Sequence, residues 1–106
     1  MSIDEINEVS FQIIMSAGEA RSIAMEALSL AKKGDIEAAS KSLDEARIEI
    51  YKAHEYQTSL LNLETNGKKD MINILLIHSQ DHLMNAMTVL DLTEEFISLY
   101  ELVFNK

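Results

Sequence analysis

At 106 residues the chain has the length of one domain with a single buried core. Its 18 acidic residues against 9 basic ones give a formal net charge of −9, which argues against nucleic acid and anionic membranes and suits a partner with a basic contact patch. Cysteine is absent, which excludes disulfides, thiolate chemistry and Cys-ligated zinc. The opening residues, MSIDEINEV, carry neither the basic region nor the apolar stretch of a signal peptide. No apolar run approaches the roughly 20 residues needed to cross a bilayer. A soluble, cytoplasmic protein is expected, with no membrane insertion of its own.

With no Pro and only 3 Gly, little interrupts a helical hydrogen-bond ladder, and a single domain of three helices over about 3–33, 36–64 and 71–104 is expected. The first starts at Ser2, a suitable N-cap with Glu5 in capping-box position. Ile3, Ile6, Phe11, Ile13, Ile14, Ala17, Ala20, Ala24, Leu28 and Ala31 follow at largely helical spacing. Lys32 and Lys33 suit its C-terminal end, and Gly34 the left-handed residue beyond it.

Asp35 caps the second helix, whose inward stripe is Ala39, Leu43, Ala46, Ile50, Ala53 and Leu60. The pair Asn66-Gly67 favours a turn, and Asp70 is a reasonable N-cap for the last helix, from Met71 to Phe104. Short breaks imply an all-α, antiparallel up-down-up three-helix bundle. Met71 to Ile77 is apolar almost all round, which predicts neighbours on more than one side of the third helix. Self-association is the simplest source of such a neighbour, and deeper burial within one chain is the other.

His78-Ser79-Gln80-Asp81-His82-Leu83-Met84-Asn85 follows directly. At about 100° per residue, His78, Asp81, His82 and Asn85 share one face, which Leu75 and Leu92 extend in apolar form. Polar groups inside a core stripe are costly unless paired. Three explanations compete on spacing alone. One is a polar layer with Asp81 paired to an imidazole. Another is a metal site on the His-x-x-x-His face. The third is nucleophilic chemistry by an imidazole that a carboxylate orients. Ser79 stands where a His-Glu-x-x-His protease has its Glu, which argues against metal-assisted hydrolysis.

The stretch Leu75 to Thr88, containing His78-Ser79-Gln80-Asp81-His82-Leu83-Met84, resembles the signature of the lactose/cellobiose-class IIA proteins of the sugar phosphotransferase system. Leu92 to Tyr100 and Ala17-Gly18-Glu19-Ala20-Arg21-Ser22 are similar to that family too, and the three-helix layout extends the likeness over the whole chain. The resemblance implies that His78 accepts a phosphoryl group from HPr. It then passes the group to a cysteine of a IIB component, which serves a membrane-bound IIC transporter of a disaccharide such as lactose, cellobiose or chitobiose. It further implies a homotrimer with Asp81 at its axis around a divalent cation. Three carboxylates meeting there need a cation or protons, and oxygen ligands suit Mg²⁺.

Gln80 lies two positions from His78 and points about 200° away around the helix, so it is expected to serve the His78 of a neighbouring chain. His82 is divided between supporting the transfer site and a structural hydrogen bond. His54 reads as a surface or interface residue, the six Met as core filler or an adaptable docking surface, and Glu94 and Glu95 as solvated charges. Gly18 costs about 1 kcal/mol against Ala inside a helix, which either close packing or room for a phosphoryl group explains. A non-catalytic helical adaptor and a metal-binding helical module are the rival readings of the whole chain.

Overall fold

The structure, a computed structural model, describes residues 2–65 and 72–106. Among them the chain forms α1 (Ile3–Lys32), α2 (Ile36–Thr65) and α3 (Ile74–Phe104), with no strand. The Ser2 hydroxyl accepts from the Glu5 backbone N–H, and the Glu5 carboxylate accepts from the Ser2 N–H, both at 3.2 Å. The Ser2 backbone N–H, with the Ser2 hydroxyl beside it, holds the Glu5 carboxyl below its ordinary pKa. Gly34 takes φ 93° after α1, and Asp35 accepts from the Ala38 N–H at 3.2 Å to start α2.

The last helix begins three residues later than the sequence predicts. Its N-cap is Asn73, whose side-chain oxygen accepts from the Leu76 N–H at 2.9 Å while its amide nitrogen donates to Asn7 on α1. Asn73 does both jobs, a cap and a tie to α1, so the helix starts where that tie fixes it. The predicted turn at Asn66-Gly67 and cap at Asp70 lie outside the described residues.

Four pairings set the topology. Asn7 meets Asn73 near the starts of α1 and α3, and the Phe104 ring lies against Gly34 near their ends, so these two helices run parallel. Gln57 meets Gln80 and Arg47 meets Glu94, so α2 runs against α3. The bundle is therefore up-down-up, a rod of 57 × 18 × 17 Å.

Its core is a seam at alternating steps of four and three residues: Ile6, Ser10, Ile13, Ala17, Ala20, Ala24, Ala27 and Ala31 on α1, and Leu76, Ser79, Leu83, Ala86, Leu90, Thr93 and Ile97 on α3. That mean step of about 3.5 is coiled-coil packing, and its many alanines let the helix axes approach closely. The seam is narrower than the stripe read from α1. Ile3 and Phe11 are exposed and Ile14 and Leu28 half-buried, while Ser10 and Ala27 point inward. On α2 the stripe Ala39, Leu43, Ala46, Ala53 and Leu60 is buried, with Ile50 half-buried.

Both α1 and α2 pack against α3 within the chain, yet among the described residues they leave one apolar face of it open. Ile74 is 84% exposed and Ile77 55%, and the open face continues through Met84 and Leu92. Core filling also fails as the role of Met15, Met25 and Met84, all exposed, whereas Met87 packs partly against the core. Glu94 is not simply solvated, since its carboxylate accepts from the Arg47 guanidinium at 2.8 Å.

Candidate functional site: an imidazole pair beside a polar recess

On α3 the buried seam passes through Leu76, Ser79, Leu83 and Ala86. His78 and Asp81 lie one to two positions off it, a rotation of about 100–200°, which carries them to the outside. His78, Asp81 and Asn85 are exposed and His82 is half-buried. The expectation that these four sit within the bundle's own core stripe is therefore corrected: a one-residue offset separates a core face from an outer face.

Of the three explanations open on spacing, an Asp81–imidazole pairing within the chain does not appear. No hydrogen bond or ion pair joins Asp81 to either ring among the described residues; the two imidazoles bond each other. His82 Nε2 lies 3.1 Å from His78 Nε2, with ring centroids 4.5 Å apart and planes at 83°. Residues i and i+4 stack one turn apart on a helix, which brings the rings together. A bond between two neutral imidazoles needs one Nε2–H donor and one bare Nε2 acceptor.

His82 also faces a recess of about 600 Å³ between α1 and α3, lined among others by Gly18, Arg21, Ser22, Asn85 and Thr88. A Cβ at Gly18 would meet nothing within 4 Å, so close helix packing within the chain does not explain this glycine. The recess holds a guanidinium, an imidazole, hydroxyls and a carboxamide, all able to donate hydrogen bonds to an anionic oxygen. Arg21 was not singled out from its sequence neighbours. Its place beside Ala17, Gly18 and Ser22 on one face of α1 is the signal that this face meets the polar face of α3.

Gln80 points away from its own His78, as its spacing predicts. It lies half-buried against α2, where the Gln57 side-chain amide donates to its Oε1 at 2.7 Å. The Gln80 amide nitrogen in turn donates to Ser79 Oγ at 3.1 Å, and the Ser79 hydroxyl to the Leu76 carbonyl at 2.5 Å. Gln57 went unread in the sequence, although the signal was there: it fills the α2 stripe position between Ala53 and Leu60. His54 is half-buried one turn before it, with its carbonyl accepting from the Thr58 hydroxyl at 3.0 Å.

No group of three or more His, Cys, Asp or Glu able to hold a metal ion occurs among the described residues. Asp81 instead presents its carboxylate outward, between Ile77 and Met84 on the open apolar face. Such a carboxylate fits as one ligand of an oxygen-rich site shared between chains, and not as a site within one chain.

Residues 8–101 match the family described as the lactose/cellobiose-specific IIA subunit of the PTS system. The chain is 51% identical over 98 residues to the lichenan-specific phosphotransferase enzyme IIA component of Bacillus subtilis (strain 168), covering 92% of this chain and 89% of that protein. Its fold is similar to the crystal structure of the cellobiose-specific enzyme IIA from Bacillus anthracis, with TM-score 0.91, 45% identity, and coverage of 100% of this chain and 95% of that one. It is also similar to the IIA(chitobiose) component solved in complex with HPr from Escherichia coli, with TM-score 0.80, 35% identity and 97% of each chain covered.

Proposed function

The chain belongs to the lactose/cellobiose-specific IIA family of the phosphotransferase system, and we propose that it is a phosphocarrier that accepts a phosphoryl group on His78 from HPr. It then delivers the group to a cysteine of a IIB component that serves a membrane-bound IIC transporter, in uptake of a disaccharide such as lactose, cellobiose or chitobiose. The observation that carries this reading is the exposed His78 ring with the His82 Nε2 3.1 Å from its own Nε2. An exposed imidazole is open to a protein donor, and a fixed neighbouring N–H can hold the group it receives. The fold's likeness to a IIA component solved with HPr supports the choice of donor.

The chemistry is an in-line displacement. His78 Nε2, as the bare acceptor of the pair, attacks phosphorus; its N–P bond forms as the N–P bond to the donor's imidazole breaks. The donor's nitrogen leaves with the electron pair. In the second transfer a thiolate of the IIB component attacks the same phosphorus, an S–P bond forms, and His78 regains its lone pair. Such transfers depend on positioning and on charge stabilisation of the phosphoryl oxygens. His82 Nε2–H is placed to donate to one of them. The excess of 18 acidic over 9 basic residues favours encounter with basic partner surfaces.

The working form in this reading is a cytoplasmic homotrimer, with no membrane insertion of its own. No helix among the described residues is long and apolar enough to cross a membrane. The open α3 face, Ile74, Ile77, Met84 and Leu92, is apolar surface of the kind that association covers. Asp81 lies on that face, so three copies would bring three carboxylates together, and a bound Mg²⁺ would neutralise their charge. Gln80 points away from its own His78, which supports donation by its amide to the phosphohistidine of a neighbouring chain.

The test is phosphorylation by phosphoenolpyruvate, enzyme I and HPr. One acid-labile phosphoryl group per chain is expected, absent in His78→Ala. A wild-type chain that takes no label would instead favour a non-catalytic helical adaptor or a metal-binding module.

A further inference from the structure

Building on the role proposed for Gln80, we propose that Gln57 is a positioning residue for phosphoryl transfer, because it holds the Gln80 amide with its oxygen toward α2 and its nitrogen toward Ser79. The Gln80 amide is held from both ends of a hydrogen-bond chain. The Ser79 hydroxyl has a single hydrogen, and it goes to the Leu76 carbonyl at 2.5 Å. With its hydrogen there, Ser79 Oγ accepts from the Gln80 nitrogen at 3.1 Å. A rotated hydroxyl would donate equally well to a turned amide, so Ser79 alone does not choose between the two orientations. Gln80 Oε1 lies toward α2, where Gln57 meets it with an N–H at 2.7 Å. Every bond donates in the same direction, an arrangement in which successive hydrogen bonds strengthen one another.

The consequence is chemical. A carboxamide has two N–H donors, and the bond to Ser79 uses one of them. The second remains for a phosphoryl oxygen, which carries negative charge and rejects the carbonyl end of the same amide. Without Gln57, the Gln80 side chain is free to turn over and present oxygen to that charge. Gln57 also stands at the one polar position of the α2 stripe between Ala53 and Leu60, where an apolar residue would pack directly against the cluster of Ile6, Ile13, Leu76 and Leu83. A polar residue in a seam is worth its desolvation when it fixes the geometry of a group that acts.

The decisive variant is Gln57→Glu. Its carboxylate only accepts, so Gln80 must give it the amide nitrogen and turn its oxygen outward. Single-turnover transfer from phospho-HPr to His78 is expected to slow about thirtyfold, the weight of one hydrogen bond to a charged group, with half-saturation by HPr unchanged. Gln57→Met, uncharged and similar in shape, is expected to slow transfer about threefold by leaving both amide orientations open. Helical content and oligomeric state should match wild type in both. In a Gln80→Ala background, Gln57→Glu should cost nothing further, because its effect passes through Gln80.

An equal slowing in both backgrounds means a packing or charge effect and overturns the inference, as does an unchanged rate in Gln57→Glu. If Gln57→Glu does not fold, the same pair of comparisons with Gln57→Met decides. Failure of the underlying reading appears separately. Gln80→Ala alone would leave the rate unchanged if Gln80 plays no part, and His78→Ala would still take label if His78 is not the carrier.

Discussion

His78 and His82 meet Nε2 to Nε2 at 3.1 Å, edge to face, one turn apart on α3. The pair is asymmetric in its surroundings. His78 is exposed, whereas His82 is half-buried and borders the recess formed with α1. A carrier must be reached by two partner proteins in turn, and a supporting donor must stay fixed while that happens. The exposed ring suits the first task and the half-buried ring the second.

Replacing His82 by Ala should therefore leave His78 able to take the phosphoryl group but slow its arrival. One lost hydrogen bond to a charged group is worth about 2 kcal/mol, roughly a thirty-fold drop in transfer rate. Rapid-quench measurement of label from phospho-HPr reads this directly. An unchanged rate would leave His82 with a structural role only.

Gly18 offers a test in which stability and transfer part company. Its added Cβ would meet nothing within 4 Å, so Gly18→Ala should stabilise α1 by about 1 kcal/mol through helix propensity alone. The methyl group enters the recess that His82 borders, so the same variant should transfer more slowly than wild type. Thermal melts and rapid-quench rates on one preparation separate the effects. A destabilised Gly18→Ala would mean that a close contact from another chain occupies this position.

Sequence periodicity carried the bundle well and its details less well. The caps at Ser2 and Asp35 and the stripe of α2 follow from residue chemistry that acts within one or two turns, so they are legible locally. The start of α3 is not, because its cap Asn73 is tied by a bond to Asn7, sixty-six residues earlier in the chain. The face of His78 was misread for a related reason. In α3 both faces carry apolar residues, and only packing against α1 and α2 decides that Leu76 and Leu83 turn inward while Ile74 and Ile77 stay out. Gln57 was legible as a polar interruption of a stripe, but its partner on α3 was not.

Ser10 interrupts the α1 seam in the same way, yet without a paired group among the described residues. It is fully buried, and its hydroxyl has no hydrogen-bond partner among the described residues. A buried unpaired hydroxyl costs about 1–3 kcal/mol, and Ala is also the better helix former. Ser10→Ala should therefore raise the urea midpoint by the equivalent of about 1 kcal/mol, with the slope of the transition unchanged. A lowered midpoint would show that the hydroxyl has a partner in the assembled protein.

Asp81 poses the last question, since its carboxylate lies on an apolar face between Ile77 and Met84. If three chains meet there, like charges oppose assembly unless a cation or protons offset them. Asp81→Leu removes that repulsion and extends the apolar face, so this variant should form trimers in the presence of a chelator. Wild type under the same conditions should dissociate more readily, and added Mg²⁺ should reverse that. Sedimentation equilibrium on both proteins, with and without chelator, measures the difference. An Asp81→Leu chain that stays monomeric while wild type remains trimeric in chelator would place Asp81 away from the contact and leave the apolar residues around it to another partner.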